Sequence, residues 1–272
     1  MKKQSSNLKL ILSGGFIGLS NLIPGISGGT IAVISGIYED LISALTSRIF
    51  SRDNLTFFIY LAIGALLAIL IFSQLIEYMM GEYLIQMQLL FAGLIFGSLP
   101  SIYARLEYKE FQFRYLLSVL LAFLMPVIFL NLQSNEIFNN NASPLFNILS
   151  LFIAGLISSA TMVIPGVSGG MILMVMGMYN TIISAVSNFD LMVLLLFGFG
   201  VLSGVLLFSH LIKYLITQYT ELTYLVIIGL LLGSVVSVWP RWSTGMTFLL
   251  DIAIFLVGCF MVIAVNRLVD LK

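Results

Sequence analysis

Most of what soluble chemistry relies on is scarce in this chain. Its 272 residues hold one cysteine, Cys259, and one histidine, His210. A lone cysteine excludes an intrachain disulfide and a thiolate metal cluster. A lone histidine excludes a multi-histidine zinc site and leaves conventional acid–base catalysis with little machinery. Charged residues make up 9% of the chain, where a soluble domain carries about 25%. No polar stretch is long enough to form a soluble domain. The formal net charge of zero points to no partner, because the charges are segregated by side, and nothing suggests nucleic acid.

What the chain does hold is apolar length. Hydrophobic residues are 60% of it, and the mean hydropathy is +1.10. Stretches of about 20 apolar residues recur along its length, which implies an all-α polytopic membrane protein. In the first half they cover 8–23, 27–46, 55–80, 84–103 and 115–132. In the second they cover 145–163, 168–187, 191–216, 222–238 and 246–265. The apolar run behind the polar residues 1–7 has no small-residue cleavage site, so no removed signal peptide is expected.

One phrase occurs twice: IPGISGG at 23–29 and IPGVSGG at 164–170. Around it, residues 12–45 align without gaps to 153–186, with 13 identities in 34. A second block pairs 72–103 with 208–239, with 12 identities in 32, and there FSQLIEY matches FSHLIKY. The matched Pro, Gly and Ser positions exceed what shared apolar bias explains, so the chain is an internal duplication. The expected organisation is a first membrane repeat at 1–133, an outer linker at 134–144 and a second repeat at 145–272.

Five segments per half is an odd number, so the second half enters the membrane inverted. With the N-terminus inside, 11 of the 12 Lys and Arg residues fall on the inner side and only Arg241 lies outside. That distribution obeys the positive-inside rule and puts both termini in the cytoplasm. Segment 8–23 spans only about 24 Å at 1.5 Å per residue, short of a core of about 30 Å. A re-entrant hairpin turning at the motif fits that length. Two full spans with the motif in an outer loop are the alternative.

The motif carries its own chemistry. Pro24 and Pro165 end any preceding helix. Gly25, Gly28, Gly29, Gly166, Gly169 and Gly170 let a ligand or another backbone approach closely. Ser27 and Ser168 stand at N-cap positions before the next apolar run. The N–H groups that follow, near Thr30 in the first copy, carry the positive end of a helix dipole, which suits phosphate or carboxylate. Two such starts opposed at the midplane would bind an anion without a buried Lys or Arg. The plainer reading is that these glycines pack helices, as small residues do in membranes.

PGISGGTIAVISGIYE at 24–39 and PGVSGGMILMVMGMY at 165–179 resemble a bacterial membrane family of polyprenyl-phosphate transporters, formerly a domain of unknown function. The resemblance covers essentially the whole chain. It implies a translocator, not an enzyme, that returns undecaprenyl phosphate from the outer to the inner leaflet of the plasma membrane for cell-wall synthesis. The second copy departs from the first, with Met171 against Thr30 and Asn180 against Glu39, so a polar role there exists in one half only. No cofactor is implied. Proton or sodium coupling and a homodimer are left open.

Glu39 and Asp40 read either as solvated interfacial acids or as gating or coupling carboxylates. Arg48 reads as an inner anchor or a greeting group for phosphate. Arg241, in the sequence WPRW, reads as an aromatic-belt contact or an outer capture group. His210 reads either as a hydrogen-bonded packing residue or as a proton relay. The function classes are a lipid-phosphate translocator, a carrier of a small soluble anion, and an intramembrane enzyme. The enzyme is disfavoured because Ser27 and Ser168 have no neighbouring base.

Overall fold

In a computed structural model, described over residues 7–21, 27–47, 51–106, 113–132, 144–240 and 247–270, the chain is all-helical. The helices are α1 (Asn7–Asn21), α2 (Gly28–Ile34), α3 (Tyr38–Thr46), α4 (Arg52–Glu82), α5 (Leu84–Tyr103), α6 (Phe113–Leu132), α7 (Pro144–Val163), α8 (Gly169–Val175), α9 (Tyr179–Ser187), α10 (Leu191–Gln218), α11 (Thr220–Val238) and α12 (Thr247–Asp270). Arg52–Ile76, Leu84–Tyr103, Leu191–Gln218 and Thr220–Val238 are long and apolar enough to cross a membrane. The protein is a multi-pass membrane protein. The linker at 134–144 falls almost wholly outside the described residues.

The apolar segments appear where hydropathy puts them, with one correction made twice. Residues 27–46 and 168–187 are each two short helices, not one. Gly36 (φ +66°) and Gly177 (φ +70°) are left-handed, which costs glycine nothing and ends a helix. The N–H groups of Gly36 and Ile37 bond the Val33 and Ala32 carbonyls at 3.0 Å each, and those of Gly177 and Met178 bond Met174 and Leu173 at 3.0 and 2.9 Å. Both are Schellman turns, so the last carbonyls of α2 and α8 stay satisfied away from water. α2 and α8, with seven residues each, are about 10 Å long and cannot cross a bilayer alone.

The halves share other local devices. Ser51 caps α4 and Asp190 caps α10 through their side-chain oxygens. Tyr83 (φ −127°, ψ 39°) and Tyr219 (φ −130°, ψ 48°) end these long helices in nearly the same conformation. Each packs edge-on against the tyrosine five residues before it, with centroids 6.2 and 6.3 Å apart.

Helix pairing follows the same scheme twice. α1 packs on α4, and α7 on α10. α5 packs on α12, and α11 on α6, so each half gives its last helix to the other. Glycine sits at every one of these contacts. A Cβ added at Gly14 would overlap the Leu61 carbonyl, and one at Gly200 the Phe152 carbonyl. Gly93 and Gly97 meet α12, and Gly229 and Gly233 meet α6, in the same way. Lipid offers helices no hydrophobic drive to associate, so close backbone approach has to supply the packing.

Burial divides the helices into an inner and an outer set. α11 has 61% of its apolar stretch buried and α10 only 11%. Leu66, Leu70, Leu195, Phe199, Leu202 and Phe260 face outward, as a bilayer requires of its solvent-facing surface. The central core joins α2, α3, α5 and α11 through Ile31, Ala32, Ile42, Ala92, Ile95 and Leu231. The short helices α2 and α3 thus sit in this core, while α8 packs in a second cluster through Ile172 and Leu173.

Gly14→Leu and Gly200→Leu are expected to abolish recovery of monodisperse protein from detergent, since backbone has to move to admit either side chain. Gly198→Leu, where an added Cβ meets nothing within 4 Å, is expected to behave as wild type in the same size-exclusion measurement.

Candidate functional site at the two broken helices

The first motif enters α2 through Ser27, whose extended backbone (φ −107°, ψ 145°) is that of an N-cap. Its Oγ accepts the Thr30 N–H at 3.2 Å and lies 3.3 Å from the Thr30 hydroxyl. Thr30 is 2% exposed, so its own hydroxyl needs protein partners. It finds one in the other motif: the Gly166 N–H donates to Thr30 Oγ1 at 2.8 Å.

That bond belongs to a larger contact. Gly29 faces the backbone of 162–165, where an added Cβ would lie 3.0 Å from the Met162 carbonyl oxygen. The Tyr38 hydroxyl donates to the Val163 carbonyl at 2.9 Å, which satisfies an acceptor at the end of α7. Gly166 is required twice over. Its φ is +90°, and a Cβ would sit 2.7 Å from Leu230 backbone atoms. Gly28 and Gly170 are freer, with nearest neighbours at 3.5 and 3.8 Å.

The two copies are not equivalent. Ser168 has N-cap backbone geometry but makes no side-chain cap bond, contrary to the role its position suggests. Met171 stands where Thr30 stands and cannot supply a hydroxyl. The bridge between motifs is therefore one-sided. Pro24, Gly25, Arg48 and Arg241 lie outside the described residues. Asp40 sits beside Glu39 in the first turn of α3.

Beyond the motif contact lies a cavity of about 650 Å³. Its polar lining is Lys9, Tyr38, Glu39, Ser101, Arg105 and Tyr224, and its walls include Val33, Ile102, Ile227 and Ile263. Ser27 and Ser168 do not line it. Glu39 favours the positive end of the α3 dipole. Its Oε1 pairs with Arg105 and accepts the Tyr224 hydroxyl at 2.6 Å. The side chains of Arg105 and Glu39 are 47% and 35% exposed, so the pair adds only about 0.2–1 kcal/mol. A second cavity shares Arg105 and is lined by Arg114, Tyr115 and Glu221, where the Tyr115 hydroxyl donates to Glu221 at 2.9 Å.

Several of these residues carry little signal in the sequence. Lys9 and Arg105 count there only among the inner cations. Arg105 has a partner at the repeat offset of the second block, Arg241, and that equivalence is the signal that marks it. Tyr224 has none. Asp251, fully buried in α12, is an acid inside an apolar helix, and such acids mark functional positions by default. His210 lies exposed on α10 with Nδ1 2.8 Å from the Leu206 carbonyl oxygen, a bond within its own helix.

Residues 17–253 match the family model described as VCA0040-like, undecaprenyl phosphate translocase-like. A protein of Staphylococcus aureus (strain NCTC 8325 / PS 47) named polyprenyl-phosphate transporter is 34% identical over 271 residues, covering 95% of each chain. A protein of Vibrio cholerae serotype O1 (strain ATCC 39315 / El Tor Inaba N16961) with the same name is 30% identical over 257 residues, covering 89% of this chain and 80% of that one. No solved structure matches significantly.

Thr30→Val keeps the shape of the side chain and strands the buried Gly166 N–H. It is expected to destabilise the protein by about 1–3 kcal/mol, read as a fall in thermal midpoint in detergent, while Thr30→Ser largely retains stability. Gly166→Ala is expected to be worse than Gly28→Ala by the same measurement.

Proposed function

The chain belongs to the undecaprenyl phosphate translocase-like family, and on that premise we propose that it carries undecaprenyl phosphate across the bacterial cytoplasmic membrane. Net movement runs from the outer to the inner leaflet and returns the carrier lipid for cell-wall synthesis. The protein is a transporter, not an enzyme, as is the family it belongs to. Both relatives bear the name polyprenyl-phosphate transporter, which supports the substrate class.

The observation that carries the reading is the meeting of the two broken helices through Thr30 and Gly166. Breaks at matching positions of two halves are where transporters of inverted-repeat architecture hold their cargo. In the closed contact, the Thr30 hydroxyl and the Gly166 N–H satisfy each other. Opening the contact frees both, together with Ser27, Gly28, Gly29, Ser168, Gly169 and Gly170, for the oxygens of a phosphate head. The polyprenyl tail stays in lipid, so only the head needs a polar path. Rocking of one half on the other exposes the head first to one side and then to the other. Arg241 captures it at the outer mouth, Arg48 receives it at the inner one, and both termini face the cytoplasm.

Counting undecaprenyl phosphate in each leaflet of proteoliposomes tests this directly. Loss of the Ser27 cap costs about 1 kcal/mol, and Ser168 makes no cap bond, so Ser27→Ala/Ser168→Ala protein is expected to remain folded. Wild type is expected to equilibrate the leaflets, and the double variant and Gly28→Leu to do so at least about tenfold more slowly, the loss of one or two head-group hydrogen bonds. Equal rates in all three would remove the motifs from the head-group site. Uptake of inorganic phosphate without lipid movement would make the protein a small-anion carrier.

A further inference from the structure

We propose that the cavity lined by Lys9, Ser101, Arg105 and Tyr224 is a second phosphate-binding site, distinct from the motifs, and that the Glu39 carboxylate is its built-in competitor. The inference rests on the lipid-phosphate reading and names where the head goes after it leaves the motif contact.

Glu39 already does in this cavity what a phosphate oxygen would do. It accepts from the Arg105 guanidinium and from the Tyr224 hydroxyl at 2.6 Å. A guanidinium beside a phenol is a donor set suited to phosphate as well as to carboxylate. A phosphate monoester brings more negative charge and three acceptor oxygens, and Lys9 on α1 adds a second cation to the same lining. At about 650 Å³ the cavity has room for a phosphate head and the first part of its chain. The walls at Val33, Ile102, Ile227 and Ile263 suit the apolar part. With the head absent Glu39 holds Arg105, and with the head present Arg105 and Tyr224 turn to it. The carboxylate then competes to eject it.

The competitor belongs to one half only. At the repeat offsets, Arg105 corresponds to Arg241, Glu39 to Asn180 and Tyr224 to Gln88. The second half keeps the arginine and replaces the acid by an amide, which has no charge with which to compete. The cavity, lined by both halves, lies on the inner side under the positive-inside rule. A head arriving there meets an arginine already claimed, whereas the corresponding outer arginine has no acid at the matching position. The asymmetry favours capture outside and release inside.

The test uses full-length protein in nanodiscs, with undecaprenyl phosphate, uncharged undecaprenol and inorganic phosphate as separate ligands. Loss of the Arg105 charge in Arg105→Gln is expected to weaken undecaprenyl phosphate binding by roughly tenfold and leave undecaprenol unaffected, with Arg105→Lys in between. Glu39→Gln is expected to tighten phosphate binding several-fold and slow delivery to the inner leaflet, a gain that misfolding cannot imitate. Unchanged or weaker binding in Glu39→Gln overturns the inference, as does unchanged binding in Arg105→Gln. If wild type still moves lipid in either of those cases, the translocator reading stands without this site. Arg105-dependent binding of inorganic phosphate alone keeps the site and assigns its anion to a soluble source.

Discussion

A helix broken inside an apolar core leaves N–H and C=O groups that only protein can satisfy, and the rest of this molecule is arranged around meeting that demand. The Gly166 N–H finds the Thr30 hydroxyl, the Val163 carbonyl finds the Tyr38 hydroxyl, and the Thr30 N–H finds Ser27. Each partner comes from the first half, and two of the three satisfied groups lie in the second. In a medium without water an orphaned group costs several kcal/mol, so the first two of these bonds tie the halves together at their centre. The Schellman turns at Gly36 and Gly177 answer the same demand at the far ends of α2 and α8.

The long helices follow from that centre. Short broken helices cannot span a membrane, so α4, α5, α10 and α11 supply the spanning length, and the glycines at their contacts let backbones close on one another. Exchange of α6 and α12 between the halves keeps the assembly from separating while leaving the motif contact as the place where the halves meet through few bonds. Under the proposed function, it is this contact of a few hydrogen bonds, with the weak Glu39–Arg105 pair beside it, that opens.

Much of this was legible in the residues. Hydropathy located the apolar segments, and the motif prolines pointed to the break before α2 and α8. The second break was less visible. Gly36 and Gly177 lie inside segments that read as continuous, and their left-handed backbone makes them stops; their recurrence at one offset was the available sign. The cap at Ser27 formed and the one at Ser168 did not, although the two positions look alike. The pairing of Thr30 with Gly166, and of Glu39 with Arg105, joins residues 136 and 66 apart, and a single sequence holds no record of which distant residues meet. Charge counting assigned Arg105 to the inner side only as an expectation and could not give it a partner.

The central claim is that the motif contact must open for the head to pass. A cysteine pair at Gly29 and Ile164, whose backbones approach closely, in a Cys259→Ser background would lock it with a disulfide. Transfer of undecaprenyl phosphate between leaflets is then measured in the same proteoliposomes before and after reduction. The account predicts little transfer when oxidised and, on reduction, recovery to the rate of the reduced Gly29→Cys and Ile164→Cys single variants. Equal transfer in both states would contradict it.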